Sequence, residues 1–192
     1  MDNLENIYNE LSKTYEKKYI NTEPYLSDEL MASKFWEWAN LSGSIVSLGI
    51  GSGQDIEILK YPDPNEFNGY DISEGMLSNA KKKFPGYEKC LHHHDCNNMI
   101  ENISADILVS MFGTANYIGI DKLLEHYIHL NCSSAFFVFY NYQYNDGVAQ
   151  GYRYSKTDIL EKFKNYNPSL NVVDLFPGSN YYVVMWNENR NI

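Results

Sequence analysis

The run Ile45-Val46-Ser47-Leu48-Gly49-Ile50-Gly51-Ser52-Gly53-Gln54-Asp55 constrains this chain more than any other stretch. An apolar segment of strand length leads straight into glycine at every second position. Gln54 to Leu59 then reads as the start of a helix. Strand, tight turn and helix in that order make the first half of a β–α–β unit. Glycine permits positive φ there, and its missing side chain lets a ligand approach the backbone. The helix N-terminus adds free N–H groups and a partial positive charge.

The rest of the chain repeats the theme. Strands are predicted at 45–48, 67–70, 88–92, 105–111 and 135–140. Between them lie helices at 54–59, at 73–84 (capped by Ser73, stopped by Pro85-Gly86) and at 122–130. Phe136-Phe137-Val138-Phe139 has no polar face, as expected of a strand covered on both sides. Two helices, 3–19 and 26–40, precede the first strand, with Ser27 as the expected N-cap of the second. Ser155-Lys156-Thr157-Asp158 resembles a capping box opening a helix to about Tyr166. Segments 170–175 and 181–186 close the chain as strands, and so short a connection makes them antiparallel. The expectation is one α/β domain over 1–192 with a Rossmann-like, doubly wound sheet.

Composition narrows the function. The 192 residues carry a net charge of -10, which disfavours a nucleic-acid substrate. Lys81-Lys82-Lys83 is the best basic cluster and reads as a solvated helix face. No run approaches the ~18 apolar residues of a membrane span. The N-terminus lacks the basic-then-apolar pattern of a secretory signal. Cys90, Cys96 and Cys132 have no paired spacing, which fits a reducing cytoplasm.

A nicotinamide or flavin fingerprint reads G-x-G-x-x-G, but Gln54 stands where the third glycine belongs. A P-loop needs Gly-Lys-Ser/Thr, and none is present. What remains is G-x-G-x-G. A carboxylate follows at the end of the second strand, Asp71 in F-N-G-Y-D-I-S. It lies one β–α–β step, about 20 residues, beyond the turn, as a group gripping ribose hydroxyls should.

L-G-I-G-S-G-Q-D and G-Y-D-I-S-E-G-M-L-S-N-A-K-K-K-F together resemble the first two motifs of class I S-adenosylmethionine-dependent methyltransferases. The resemblance implies a seven-stranded sheet of order 3-2-1-4-5-7-6 with strand 7 antiparallel. It implies an N-terminal helical lid (1–42) on a Rossmann-like core (43–192). S-adenosylmethionine would be the cofactor and S-adenosylhomocysteine the product. Gly49, Gly51 and Gly53 would line the methionine and ribose part. Asp71 would hold the ribose hydroxyls, with Ile72 and Met76 against the adenine. Asp95 would accept from the adenine amine and the Cys96 N–H would reach a ring nitrogen. Ser110, Met111 and Phe112 would pass beside the methionine tail. One departure stands out. The first motif usually has an acidic residue two positions before its first glycine, and here it is Ser47.

Fold alone does not reveal the methyl acceptor. Tyr8, Tyr15 and Tyr19 lie on a segment resembling the lid helix of small-molecule methyltransferases, with Asn9 in place of Asp. Tyr117, in M-F-G-T-A-N-Y-I, stands where methyltransferases of amino sugars carry M-F-x-x-x-x-Y. Tyr140 and Tyr142 open a polar–aromatic cluster after strand five. A tyrosine-lined site suits an amine or an aromatic acceptor. Tyr117, His94 and Tyr15 are the candidates for a catalytic role. His92-His93-His94 do not read as a metal site, because successive residues of a strand point to opposite faces. The leading expectation is a cytoplasmic methyltransferase, monomer or homodimer, acting on an O or N atom of a small molecule. A catalytically silent binding or scaffold protein, favoured by Ser47, and a protein or tRNA methyltransferase are the alternatives.

Overall fold

The computed structural model describes residues 4–20, 22–140, 151–164, 170–177 and 179–187. Strands β1 (Ile45–Leu48), β2 (Phe67–Asp71), β3 (Leu91–His93), β4 (Ile107–Ser110), β5 (Ser134–Tyr140), β6 (Asn171–Asp174) and β7 (Tyr181–Asn187) form one sheet. Its order is β3-β2-β1-β4-β5-β7-β6. The first five are parallel, and β7 runs antiparallel to both β5 and β6. The expected order and the terminal hairpin are both present.

Alternation along β5 divides the core. Phe136 and Val138 face one side, among Trp36, Ala32 and Leu77. Ala135, Phe137 and Phe139 face the other, among Leu123, Tyr127 and Phe163. The first layer is built by α2 (Glu23–Ala39), α3 (Gln54–Ile58) and α4 (Glu74–Lys83). The second is built by α5 (Thr114–Ile118), α6 (Ile120–His129) and α7 (Lys156–Lys164). Phe137 stacks on Phe163 with centroids 5.8 Å apart. Truncating either to alanine would cost about 3–5 kcal/mol.

Local chemistry explains the boundaries, including three that differ from expectation. Ser27 does not cap α2. Thr22 is the N-cap, Pro24 is pre-set for the first turn, and Ser27 donates back to the Glu23 carbonyl at 3.1 Å. The third strand starts later than predicted, because Pro85–Cys90 winds into a 3-10 helix first. The first predicted helix ends early. α1 (Leu4–Leu11) is followed by a π-helical turn at Glu16–Ile20. The capping box of α7 is as expected, with Asp158 N–H donating to Ser155 Oγ and the Ser155 N–H to the Asp158 carboxylate.

The fold fixes where a ligand can lie. β1 pairs with β2 on one side and β4 on the other, so the chain's course reverses beside β1. A crevice opens at the carboxyl ends of the strands at such a reversal.

Candidate active site

The crevice at the end of β1 is a cavity of about 920 Å³, its open mouth included. The glycine turn forms its floor, and each glycine has its own reason. Gly51 has φ +55, and a Cβ there would meet only Gln54 Oε1 at 3.9 Å, so the space above it is open. Gly49 is packed instead: a Cβ would stand 2.1 Å from Thr114 Cγ2. Gly53 does not line the cavity. It turns toward α4, where a Cβ would meet Phe84 at 2.7 Å. The missing side chain lets the start of α3 pack closely against α4 there.

Asp71 closes the next side. Its two carboxylate oxygens accept from the Gly51 and Ser73 N–H groups, each at 2.8 Å. These bonds clamp the end of β2 to the turn after β1. Burial pushes the Asp71 pKa above the usual carboxylate value, while those N–H groups and His93 pull it down. Ile72 and Met76 lie beside it. Ser73 caps α4 by accepting from the Met76 N–H at 3.1 Å. Asp95, Cys96 and Asn97 follow from the turn after β3. The Cys96 carbonyl accepts from Nε2 of buried His126 on α6 at 2.8 Å, which holds this turn against the second helical layer.

The far wall comes from β4 onward. Met111, Phe112, Gly113 and Thr114 line it, but Ser110 does not. Ser110 is fully buried, and its hydroxyl donates to the Leu48 carbonyl at 3.1 Å. Phe112 has φ 45 and Gly113 φ 22, so the chain turns through a strained conformation at the cavity wall. Gly113 lets both tyrosine rings close in, since a Cβ would stand 3.3 Å from Tyr140 and 3.4 Å from Tyr117.

The mouth is aromatic. Tyr8 and Tyr15 from the N-terminal segment, Tyr117 from α5 and Tyr140 from β5 all line it. The Tyr8 hydroxyl donates to the Tyr117 hydroxyl at 3.3 Å across the opening. Asn116 anchors this wall. Its side chain accepts from the Tyr140 N–H at 2.8 Å and donates to the Tyr152 carbonyl at 2.8 Å. Tyr142 and the side chain of Tyr19 lie outside the described residues. His94 is not part of the cavity; its ring bonds the Asn98 carbonyl at 3.1 Å. His92 and His93 turn to Asn68 and to the Ile72 carbonyl, so the three rings have three separate partners.

The N-terminal helix is pinned to the core. Asn9 Oδ1 accepts from the Ser73 hydroxyl at 2.7 Å and from the Gly75 N–H at 3.0 Å. The side chain at the position where the lid motif usually has Asp therefore ties α1 to the start of α4, one turn from Asp71.

Sequence reasoning missed one central residue. Asp55 lines the cavity, is 4% exposed, and accepts a short hydrogen bond from the Ser47 hydroxyl. Desolvation pushes its pKa up to about 8, with Asp71 and Glu29 adding to the rise and Ser47 opposing it. Its signal in the sequence is Ser47 itself, a hydroxyl at a usually acidic position with a carboxylate eight residues on.

Solved structures share this fold across almost the whole chain. An S-adenosylmethionine-dependent methyltransferase from Clostridium acetobutylicum matches at TM-score 0.62 and 19% identity, covering 94% of this chain and 98% of its own. A possible histamine N-methyltransferase from Thermotoga maritima matches at TM-score 0.67 and 12% identity, covering 97% and 100%. Magnesium protoporphyrin IX methyltransferase from Synechocystis, with bound S-adenosylmethionine, matches at 0.65 and 13%, covering 95% and 93%. This is the class I S-adenosylmethionine-dependent methyltransferase fold. No family model and no curated protein matches the chain. Within the methyltransferase fold, the cavity described above occupies the crevice beside β1 at the carboxyl ends of the strands.

Proposed function

We propose that the protein is an S-adenosylmethionine-dependent methyltransferase acting on an oxygen or nitrogen atom of a small molecule. The observation that carries this reading is a single cavity joining two unlike halves. One half holds Gly51, Asp71 and Asp95; the other holds Tyr8, Tyr15, Tyr117 and Tyr140. The residues fit the cofactor. The open space over Gly51 admits a ribose, and each Asp71 oxygen keeps a second lone pair for a ribose hydroxyl. Ile72 and Met76 supply apolar surface for a base, and Asp95 supplies an acceptor for its amine.

When bound, S-adenosylmethionine supplies a methyl group on a sulfonium, transferred in line as a neutral thioether leaves. The chain's own residues then have to hold the acceptor in line and exclude water. The tyrosine rings wall off the mouth, and the Tyr8–Tyr117 hydroxyl pair offers an acceptor molecule a polar anchor. Among the described residues no Lys, Arg or His lines the cavity, whereas three Asp do. That balance favours a neutral or cationic acceptor, such as an amine held over tyrosine faces, and disfavours a phosphate or carboxylate.

In this reading the segment 1–42 and the core 43–192 make one cytoplasmic domain, with α1 and the turn after it as the lid, because α2 packs on the sheet against Phe136. It works as a monomer or homodimer and does not act on free nucleic acid. Calorimetric titration with S-adenosylmethionine, S-adenosylhomocysteine and NAD tests the cofactor. Micromolar binding of the two sulfur ligands and none of NAD is expected. Binding of neither sulfur ligand sinks the reading.

A further inference from the structure

Ser47 leaves the start of the first motif without its usual acid, yet the cavity is not short of one. Asp55 stands eight positions further on, and the Ser47 hydroxyl reaches it. The segment between them is the glycine turn itself, so chain reversal brings the carboxyl back over the end of β1. Ser47 Oγ is its one side-chain hydrogen-bond partner among the described residues. Among the described residues no basic side chain lines the cavity to neutralise it. A carboxyl so deeply buried is expensive to ionise alone, and it takes on charge when a cation arrives beside it.

We propose that Asp55, held by Ser47, is the carboxylate that receives the cationic amino group of the cofactor's amino-acid tail, and that it gives up a proton as the tail binds. This rests on the methyltransferase reading and deepens it. The placement follows from the cavity's other walls. Asp71, Ile72 and Asp95 occupy the side toward β2 and β3, where a nucleoside fits. Asp55 stands in the first turn of α3, just past the glycine turn, where Ser47 holds it beside the end of β1, and this wall is the one left for the tail. The groups that face it are few: the Ser47 hydroxyl from β1, Asp71 from β2 and Glu29 from α2. Both acids oppose its ionisation, so before binding the proton stays on Asp55 at neutral pH. The ammonium group of a ligand reverses that balance, and the proton passes to solvent.

The test compares S-adenosylhomocysteine, which carries the amino-acid tail, with 5′-methylthioadenosine, which lacks it, on the full chain. Asp55→Asn keeps the size of the side chain and an oxygen to accept from Ser47. It is expected to weaken S-adenosylhomocysteine about 10- to 100-fold, the scale of a charge-assisted hydrogen bond, and to leave methylthioadenosine within about twofold. In the wild type, the ratio of the two affinities should rise between pH 6 and 7.5, by up to about tenfold per unit, and calorimetry in two buffers should show proton release. Asp55→Asn should flatten that rise, while Glu29→Gln should keep it. Using the ratio cancels any titration near Asp71 that both ligands share. Equal losses for both ligands, or an unchanged slope in Asp55→Asn, overturn the inference and leave the cofactor reading standing. A wild type that binds neither ligand removes the cofactor reading and the inference with it.

Discussion

The two halves of the cavity are built differently. The half at β1 and β2 is assembled by the backbone. Gly51 and Ser73 donate main-chain N–H groups to Asp71, and Ser73 caps α4 two residues further on. The tyrosine half is assembled by side chains from α1, α5 and β5, whose meeting depends on Asn116 and on one hydroxyl pair. A backbone-built site tolerates few changes and keeps one ligand. A side-chain-built site can change its occupant by substitution without disturbing the sheet. The difference suits an enzyme that shares a cofactor with many others but not its acceptor.

The largest effect should come from Gly49→Ala. The new methyl group would meet Thr114 at 2.1 Å while the backbone holds φ +76. Overpacking and the unfavourable φ together predict a loss of roughly 2–4 kcal/mol in denaturant unfolding. Adding Thr114→Ala should restore part of that loss, because only the steric share is relieved. If the double variant recovers nothing, the clash is not the reason for this glycine.

Asp71→Ala comes next. It removes the acceptor from two N–H groups, which costs about 1–3 kcal/mol of stability. It should also weaken S-adenosylhomocysteine by about 100-fold or more, from two lost hydrogen bonds to the ribose. Unchanged affinity in a titration would take Asp71 out of the ligand site.

This backbone-built half was legible in the sequence for a physical reason. Strand, glycine turn, Asp71 and Ser73 sit at fixed spacings because one β–α–β step sets them. The sheet order followed from the alternation of strands and helices together with a resemblance in motifs. What the sequence did not disclose depends on contacts between distant segments. Asp55 meets Ser47 only after the turn folds back. His126 holds the Cys96 carbonyl from a helix 30 residues away. Gly53 and Ser110 carry motif positions, but close packing against Phe84 and a bond to Leu48 turn them from the cavity. Local pattern fixes which element a residue belongs to, while packing decides which way it faces.

Asn116→Ala tests the side-chain-built half. It removes the anchor of Tyr140 and of the Tyr152 carbonyl in a site that is 2% exposed. About 1–3 kcal/mol of stability should be lost. Cofactor affinity should hold within about threefold, a change worth less than about 1 kcal/mol, while turnover of an identified acceptor falls. Equal damage to both would mean the halves are one unit.

Asp55→Asn should separate stability from binding in the opposite sense. The folded protein keeps the Asp55 proton up to about pH 8, against an ordinary value of 3.8. The unfolded chain gives it up first. The stabilisation from this group is therefore complete below about pH 3.8, is lost as pH rises, and is gone above about pH 8. At neutral pH the asparagine variant should be more stable by about 0.5–2 kcal/mol, the range typical of relieving a functional strain. The gain should vanish toward pH 4. A variant less stable than wild type at pH 7 would mean the carboxyl is better satisfied than its surroundings suggest.

Tyr117→Phe is the smallest change and the sharpest. It removes one hydroxyl and keeps the ring that packs against Tyr8 at 6.1 Å between centroids. The hydroxyl pair is worth about 0.5–1.5 kcal/mol at most, so unfolding should shift little. S-adenosylhomocysteine should bind as before, since the Tyr117 hydroxyl pairs with Tyr8 on the tyrosine side of the cavity. If the hydroxyl anchors the acceptor, KM for that acceptor rises and kcat moves less. If instead it orients the nucleophile in the transition state, kcat falls and KM holds. Identical kinetics would make the pair a clasp between α1 and α5 and leave acceptor contact to Tyr15 and Tyr140. The two halves would then meet at the lid helix, whose Asn9 already ties it to the Asp71 side.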